Sequence, residues 1–328
     1  VRGQGSGVGG QGSGVRGQRS VRANPQSAIR NLKSDPPSQG LSLIIPAYNE
    51  EQAVGEVIRE GFRVGRELSQ PFEIIVVNDA SEDRTASILK TLKEEFGELI
   101  VLNHEKNRGY GAALKTGLRE ARHEMIAITD ADGTYPGESI HELLAALDGA
   151  DMAVGARIAR ASRVSFFRRP AKWFLKKLAD YLCGNTIPDL NSGLRIMRRG
   201  VVDRFMNILP DGFSFTTTIT LAMLTNKYRV EFISISYRPR KGKSKIRPFR
   251  DTMNFIQLIV RTVMYFNPLK VFIPLSLFFF FAALMVLILT ALFANKIMDT
   301  TIGLLLATGV QTLLIGMVAD LIDKRTKT

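Results

Sequence analysis

Asp130 and Asp132 stand one residue apart at the end of an apolar run, Met125-Ile126-Ala127-Ile128-Thr129. Apolar and β-branched residues in such a run read as a buried strand, which puts the two carboxylates at a strand mouth. Like charges so close repel, and both are costly to take out of water. A cation offsets that cost, and a divalent ion with oxygen ligands is the simplest candidate. A bare pair of this kind is a weak motif, but Gly133, Pro136 and Gly137 mark a turn directly after it.

Other polar groups fall at matching places. Residues 41–46 form a short apolar strand pattern followed by Tyr48 and Glu50. Residues 72–77 form a second, ending in Asn78 and Asp79, and residues 99–102 a third, ending in Asn103 and His104. A fourth leads to the aspartate pair, and residues 152–155 form a fifth, ending at Arg157. Helical patterns separate the first four, running to Leu68, from Ser81 or Asp83 to Phe96, and from Gly111 to Arg122. This alternation predicts an α/β fold with a mainly parallel central sheet. Ligands in such sheets bind at the carboxyl ends of strands, where Tyr48, Glu50, Asp79, Asp130, Asp132 and Arg157 all fall. The stretch Asn107-Arg108-Gly109-Tyr110-Gly111 offers a helix start that could cradle a phosphate. Leu114 stands where a dinucleotide fingerprint needs its third glycine, so a Rossmann site is poorly supported.

The chain has 328 residues and a formal net charge of +13. A basic excess favours phosphates, anionic lipid or nucleic acid. Arg157, Arg160, Arg163, Arg168, Arg169, Lys172, Lys176 and Lys177 come without one acid between them, interleaved with Phe166, Phe167, Trp173 and Phe174. Arg238, Arg240, Lys241, Lys243, Lys245, Arg247 and Arg250 form a second acid-free run. Residues 271–293 hold no charge, and at about 1.5 Å per residue they span roughly 34 Å, enough for a bilayer core. Residues 301–322 form a second span, interrupted by Gln311 and Asp320. Basic residues crowd the near side of the first span, and Lys324, Arg325 and Lys327 follow the second, so the positive-inside rule predicts a hairpin with the preceding α/β domain and both termini cytoplasmic. The basic runs then face lipid headgroups or a lipid-borne phosphate. A nucleic-acid partner leaves the hairpin unexplained.

Residues 1–23 repeat loosely every seven positions in Gly, Gln, Ser, Val and Arg, too poor in large apolar side chains for a coiled coil. They are expected to be disordered to about Gly40, with no apolar signal-peptide core. Cys183 is the only cysteine, so no intrachain disulfide can form, which fits a reducing compartment. The expected organisation is a tail over 1–40, an α/β domain over 41–250, a juxtamembrane interfacial helix over 251–268 and a two-helix membrane anchor over 269–328.

Five segments in order carry a resemblance. Residues 45–50 (Ile-Pro-Ala-Tyr-Asn-Glu), 77–85 (Val-Asn-Asp-Ala-Ser-Glu-Asp-Arg-Thr), the Asp130-Ala131-Asp132 triplet, 189–195 (Asp-Leu-Asn-Ser-Gly-Leu-Arg) and 240–245 (Arg-Lys-Gly-Lys-Ser-Lys) resemble those of family 2 glycosyltransferases of the GT-A fold. More narrowly they resemble the polyprenyl-phosphate (dolichyl- or undecaprenyl-phosphate) mannose or glucose synthases. Asn78 replaces the first acid of the second segment. The resemblance implies an inverting hexosyltransferase moving a hexose from a UDP- or GDP-sugar to a polyprenyl phosphate at the bilayer. It implies that Tyr48, Glu50 and Asp79 hold the base or ribose, with Pro46, Lys106, Ala131 and Arg195 among the substrate-binding residues. It implies that Asp130 and Asp132 bring Mg²⁺ or Mn²⁺ to the diphosphate. Thr134 stands where some relatives have a metal-binding glutamine. Arg157, Arg168 and Arg169 match positions near the lipid phosphate. Arg240, Ser244 and Lys245 would steady one of the phosphates, and Asp189 would orient the acceptor or the sugar. Two other readings stay open: transfer to a lipid hydroxyl, which needs a base such as Asp189, and a non-catalytic membrane adaptor. The sugar, nucleobase and prenyl length are not legible, and neither is the oligomeric state, which leaves room for a homo-oligomer.

Overall fold

The computed structural model describes residues 38–157, 177, 180–181, 184, 186–212, 214–238, 257, 260–261, 264–293 and 298–326. The tail to residue 37, Arg168, Arg169, Arg240, Ser244, Lys245 and most of the interfacial helix read over 251–268 lie outside the described residues. Residues Ser38–Thr328 form one compact unit.

Four strand–helix units open the fold: β1 (Ser38–Ala47), α1 (Val54–Glu67), β2 (Phe72–Asn78), α2 (Thr85–Glu95), β3 (Ile100–Asn103), α3 (Tyr110–Glu120), β4 (His123–Ile128) and α4 (Ser139–Leu147). Then come β5 (Met152–Ala156), β6 (Arg195–Arg198), α5 (Arg199–Phe205), α6 (Phe215–Thr225) and β7 (Val230–Ser234). The seven strands run in the order β3-β2-β1-β4-β6-β5-β7. β1 begins three residues before Leu41, because Ser38 N–H donates to Arg122 O and Ser38 Oγ lies 2.8 Å from His123 Nδ1. The tail boundary expected at residue 40 therefore moves back to residue 37.

The apolar run of β1 is buried on both faces, as a strand between two helical layers must be. Leu41, Leu43 and Ile45 join one core with Ile74, Val76, α1 and α4, while Ile44 points into the other with Ile75, Val77 and α3. The sheet is mainly parallel as expected, but β6 is inserted antiparallel between β4 and β5. That insertion decides the site. Its register pairs Ile128 with Arg195, so Asp130, two residues beyond one, lies opposite Gly193, two residues before the other.

Two long helices, α7 (Leu269–Phe293) and α8 (Asp299–Thr326), close the chain. Their apolar stretches have mean hydropathy 2.8 and 2.0, and both are long and apolar enough to cross a membrane. Large side chains such as Leu277, Phe281, Leu314 and Ile315 stand exposed on them, as a lipid-facing surface requires. The helices meet through small residues: Ser276 Oγ donates to Gly309 O at 2.8 Å, and Gly309 and Gly316 leave room for Phe280 and Phe272. A Cβ at Gly316 would lie 2.5 Å from that of Phe272. Phe266, just before α7, stacks edge-to-face on Phe205 of α5 at 5.9 Å and so ties the hairpin to the second core.

Candidate active site

The loops after β1 and β2 are stitched together. Asn49 N–H donates to Ser81 Oγ, Glu50 N–H to Thr85 Oγ1 and Glu51 N–H to Asp83 Oδ2, while Glu82 N–H returns to Asn49 Oδ1. Asn49 takes a left-handed backbone, φ +56°, which asparagine tolerates and which turns the chain out of the strand. Burial opposes the charge of Asp83, but the Thr85 hydroxyl and the amides of Thr85 and Glu51 outweigh it and hold the carboxyl below its usual range. These segments hold Tyr48 and Glu50 half-buried at the strand end. Pro46 is different: it is buried inside β1 opposite Val77.

Asp79 is almost wholly buried. Its Oδ1 accepts from His104 Nδ1 (2.6 Å) and Arg108 N–H (2.9 Å), and its Oδ2 from Gly109 N–H (2.8 Å). A carboxylate has about four acceptor positions, so one is left for a base or ribose. This arrangement engages two amides of the stretch read as a phosphate cradle at 107–111. The amides of Arg108 and Gly109 are spent on Asp79, and that of Ala112 on Asp211 O. Gly111 is there for close packing, since a Cβ would meet Pro210 O. Lys106 is exposed on this same loop.

At the mouth of β4, Asp132 is buried, and its Oδ1 accepts both the N–H (3.1 Å) and the hydroxyl (2.7 Å) of Thr134. Thr134 is itself fully buried, so it aims Asp132 from behind. Asp130 Oδ1 accepts the Tyr110 hydroxyl at 3.0 Å. Burial and the charge of Asp130 push the Tyr110 phenol well up, so it stays a donor. Gly193 lies on the other side: a Cβ there would sit 2.3 Å from Asp130 Oδ2. Burial first, then the charge of Asp132, lifts the Asp130 carboxyl to about 6. Two crowded carboxylates with one so raised are a donor set that a divalent cation relieves, and the residues fit one. Among the described residues no third His, Cys, Asp or Glu joins them, so a bound ion would take further oxygens from ligand and water. The Ala131 side chain faces the core, so only its backbone is available to a substrate.

Arg157, at the end of β5, makes a bidentate pair with Asp189: Nε to Oδ2 at 2.6 Å and Nη2 to Oδ1 at 2.9 Å. The backbone amides of Arg157 and Asn191 complete the set at 3.1 Å each. All four acceptor positions of Asp189 are thus filled. Burial opposes its charge, yet Arg157 and the amides hold its carboxyl below the usual range. Asp189, expected to orient acceptor or sugar, has both oxygens engaged by Arg157 and two backbone amides.

Arg195, expected among the substrate-binding residues, lies inside the protein. It is 0% exposed, and its guanidinium donates to Thr216 O, Thr220 Oγ1 and Ser192 O, with Nε unpartnered. Burial pulls its pKa down. It cross-links β6, α6 and the 189–195 segment. Tyr135 supports the same segment by accepting Gly193 N–H at 2.7 Å, and Tyr237 stacks edge-to-face on Tyr135 at 5.5 Å. Tyr110, Tyr135, Gly193 and Tyr237 were not singled out from sequence as site residues. Gly193 had a signal in its place in the 189–195 segment and Tyr110 in its place in the 107–111 stretch, while the other two had none.

The structure brings Asp130, Asp132, Arg157 and Asp189 to one edge of the sheet. Residues 42–205 match the family described as Glycosyl transferase family 2, and residues 267–324 match the GtrB C-terminal hairpin. A dolichyl-phosphate hexose transferase of Haloferax volcanii is 30% identical over 211 residues, covering 64% of this chain and 87% of that protein. An undecaprenyl-phosphate 4-deoxy-4-formamido-L-arabinose transferase of Pseudomonas fluorescens is 30% identical over 246 residues, 71% of this chain and 68% of that protein. Among solved structures, glucosyl-3-phosphoglycerate synthase from Mycobacterium tuberculosis, in complex with Mn²⁺, UDP-glucose and phosphoglyceric acid, superposes with a TM-score of 0.53 at 16% identity, covering 69% of this chain and 80% of that one. The chain belongs to glycosyl transferase family 2, a membrane glycosyltransferase with its catalytic domain on the GT-A fold and an apolar hairpin at its C-terminal end.

Proposed function

We propose that this enzyme moves a hexose from a UDP- or GDP-sugar to a polyprenyl phosphate at the membrane surface, with inversion. The observation that carries the reading is the union, in one compact unit, of the Asp130–Asp132 pair with a hairpin docked through Phe266. A site carried on the same unit as a membrane anchor suits an acceptor whose reactive head is polar and whose tail stays in lipid. Tyr48, Glu50 and the remaining acceptor position of Asp79 face the nucleoside, with Lys106 nearby. Asp130 and Asp132 hold Mg²⁺ or Mn²⁺, which when bound offsets charge on the departing nucleoside diphosphate.

The acceptor phosphate is already anionic near neutral pH. It needs placement more than deprotonation, and Arg157 supplies a charge for it. Arg168, Arg169, Arg240, Ser244 and Lys245 join in holding phosphate, and their basic, aromatic surroundings suit the headgroup layer. The filled shell of Asp189 disfavours a lipid hydroxyl as acceptor, since such a group requires a base. The catalytic domain and both termini lie on the cytoplasmic face, following the basic flanks of the hairpin.

The test incubates the purified chain in bilayers with radiolabelled UDP-glucose or GDP-mannose and a polyprenyl phosphate, then extracts the lipid. Label in the prenyl fraction, lost on chelation, is the expected result. Label moving only to diacylglycerol or sterol would sink the acceptor assignment. Replacing Arg168 and Arg169 by alanine should raise the KM for prenyl phosphate well above any change in the KM for the sugar nucleotide.

A further inference from the structure

The ion pair of Arg157 leaves part of its guanidinium over. Nε and one N–H of Nη2 go to Asp189. Both N–H groups of Nη1 and the second of Nη2, which form the other edge of the fork, make no bond among the described residues. The guanidinium carbon lies over the ring of Tyr237, 5.4 Å from its centroid. Arg157 is thus held along one edge by Asp189 and set against the Tyr237 ring, while its side chain stays 30% exposed.

Tyr237 is 43% exposed, yet the chain around it is fixed. Ile235 N–H donates to Ala156 O at 3.0 Å and Arg238 N–H to Thr134 O at 2.9 Å. Both terminal nitrogens of Arg238 reach Glu60 at 3.2 Å, and the Tyr135 ring meets that of Tyr237 at 74°. An exposed aromatic ring anchored this firmly, beside the pair that ends β5, serves as a rest for the guanidinium. An unrestrained arginine loses side-chain freedom when it binds an anion, and one already held in place loses much less.

Building on the acceptor reading above, we propose that Asp189 and Tyr237 are positioning residues that aim the open Nη1/Nη2 edge of Arg157 at two oxygens of the acceptor phosphate. Asp189 then works by orienting a cation, and neither residue touches a reacting atom.

The test uses the full chain in nanodiscs with saturating metal. Tyr237→Leu removes the rest for the guanidinium and should raise the KM for prenyl phosphate about fivefold, the size of a partly desolvated cation–π contact. The donor KM and the thermal midpoint should hold, and Tyr237→Phe, which keeps the ring, should restore most of the affinity. Asp189→Asn should raise the acceptor KM by more than about tenfold, as loss of a bidentate charged pair implies, with kcat at saturating acceptor within about threefold of wild type. The proposal is overturned by a leucine variant with an unaltered acceptor KM, by a donor KM that rises as much, or by an asparagine variant whose kcat collapses at saturating acceptor, which would make Asp189 a base. Wild-type enzyme that hydrolyses the sugar nucleotide but never labels prenyl phosphate would overturn the acceptor reading itself, a result no variant can imitate.

Discussion

Asp130 and Asp189 stand at the same edge of one sheet and meet opposite surroundings. Asp189 is met by Arg157 on both oxygens and by two backbone amides, and its carboxyl lies below the usual range. Asp130 is met by a phenol, the Cα of a glycine and the charge of Asp132, and its carboxyl rises to about 6. Where a carboxylate's charge is already matched by the fold, it serves to position its partners. Where burial and a neighbouring carboxylate outweigh the nearby arginine charges, it is set to receive a cation from outside. Residue type alone assigns the same chemistry to both, and their neighbours separate them.

The sharpest break in this contrast is removal of a carboxylate on the metal side. Asp132→Ala should lower transfer by at least about a hundredfold, the scale on which charge stabilisation of a leaving group acts, and chelation should do the same to wild type. Membrane insertion, read by extraction and detergent solubility, should not change. Near-normal turnover of the mutant in the presence of chelator would remove the metal from these residues.

Next in size is Gly193→Ala. The antiparallel register opposes this residue to Asp130, and the new Cβ would sit 2.3 Å from Oδ2. Either the carboxylate or β6 must shift, and a misplacement of about 1 Å in a site costs on the order of a hundredfold in rate. A drop in Mn²⁺ affinity, followed by electron paramagnetic resonance, should accompany the loss of turnover. Wild-type metal binding in this variant would separate Asp130 from the metal.

Much of this was legible beforehand. The strands β1, β2 and β4 are continuous apolar runs that end in polar residues, and burial on two faces demands such runs. The hairpin was legible because a charge-free stretch of 23 residues has few other uses. β6 was not, because it is four residues long and carries an arginine at each end, one wholly inside. α6 was hidden as well, since Phe-Thr-Thr-Thr-Ile-Thr is β-branched and reads against a helix until the helix is buried. Without β6 the register of Ile128 on Arg195 is invisible, and with it the contact of Gly193 on Asp130. Arg195 illustrates the same limit. Its motif position suggests a ligand, whereas its surroundings are carbonyls and a threonine hydroxyl inside the protein.

The contrast also has a pH signature of opposite sign in the two residues. A carboxyl whose folded pKa lies above its unfolded value holds its proton more tightly when folded. The stability of the metal-free protein should therefore fall as pH rises from about 4 to about 6, where Asp130 ionises in the folded state. Asp130→Asn should remove that slope and stabilise the metal-free protein by about 2–3 kcal/mol at neutral pH. For Asp189 the folded pKa is depressed, so its contribution is present above about pH 4 and is lost as pH falls through the lower folded value. Thermal midpoints across pH, with chelator present, measure both. An Asp130→Asn variant with the wild-type slope would mean that another group carries it.

The smallest predicted effect concerns Asp132. Its Oδ1 accepts two neutral donors from one residue, the amide and the hydroxyl of Thr134. Neutral donors steady a carboxylate without cancelling its charge, so Thr134 should aim Asp132 while leaving it able to bind a cation. Thr134→Val keeps the shape and the amide and removes only the hydroxyl. Thr134 is fully buried, so water cannot easily replace the lost bond. A single neutral hydrogen bond is worth about 1 kcal/mol, which predicts Mn²⁺ binding weaker by roughly fivefold. Thr134→Ser, which keeps the hydroxyl, should recover most of that. Tighter Mn²⁺ binding in the valine variant would reverse the argument, because the hydroxyl would then be competing with the metal for the same oxygen instead of aiming it.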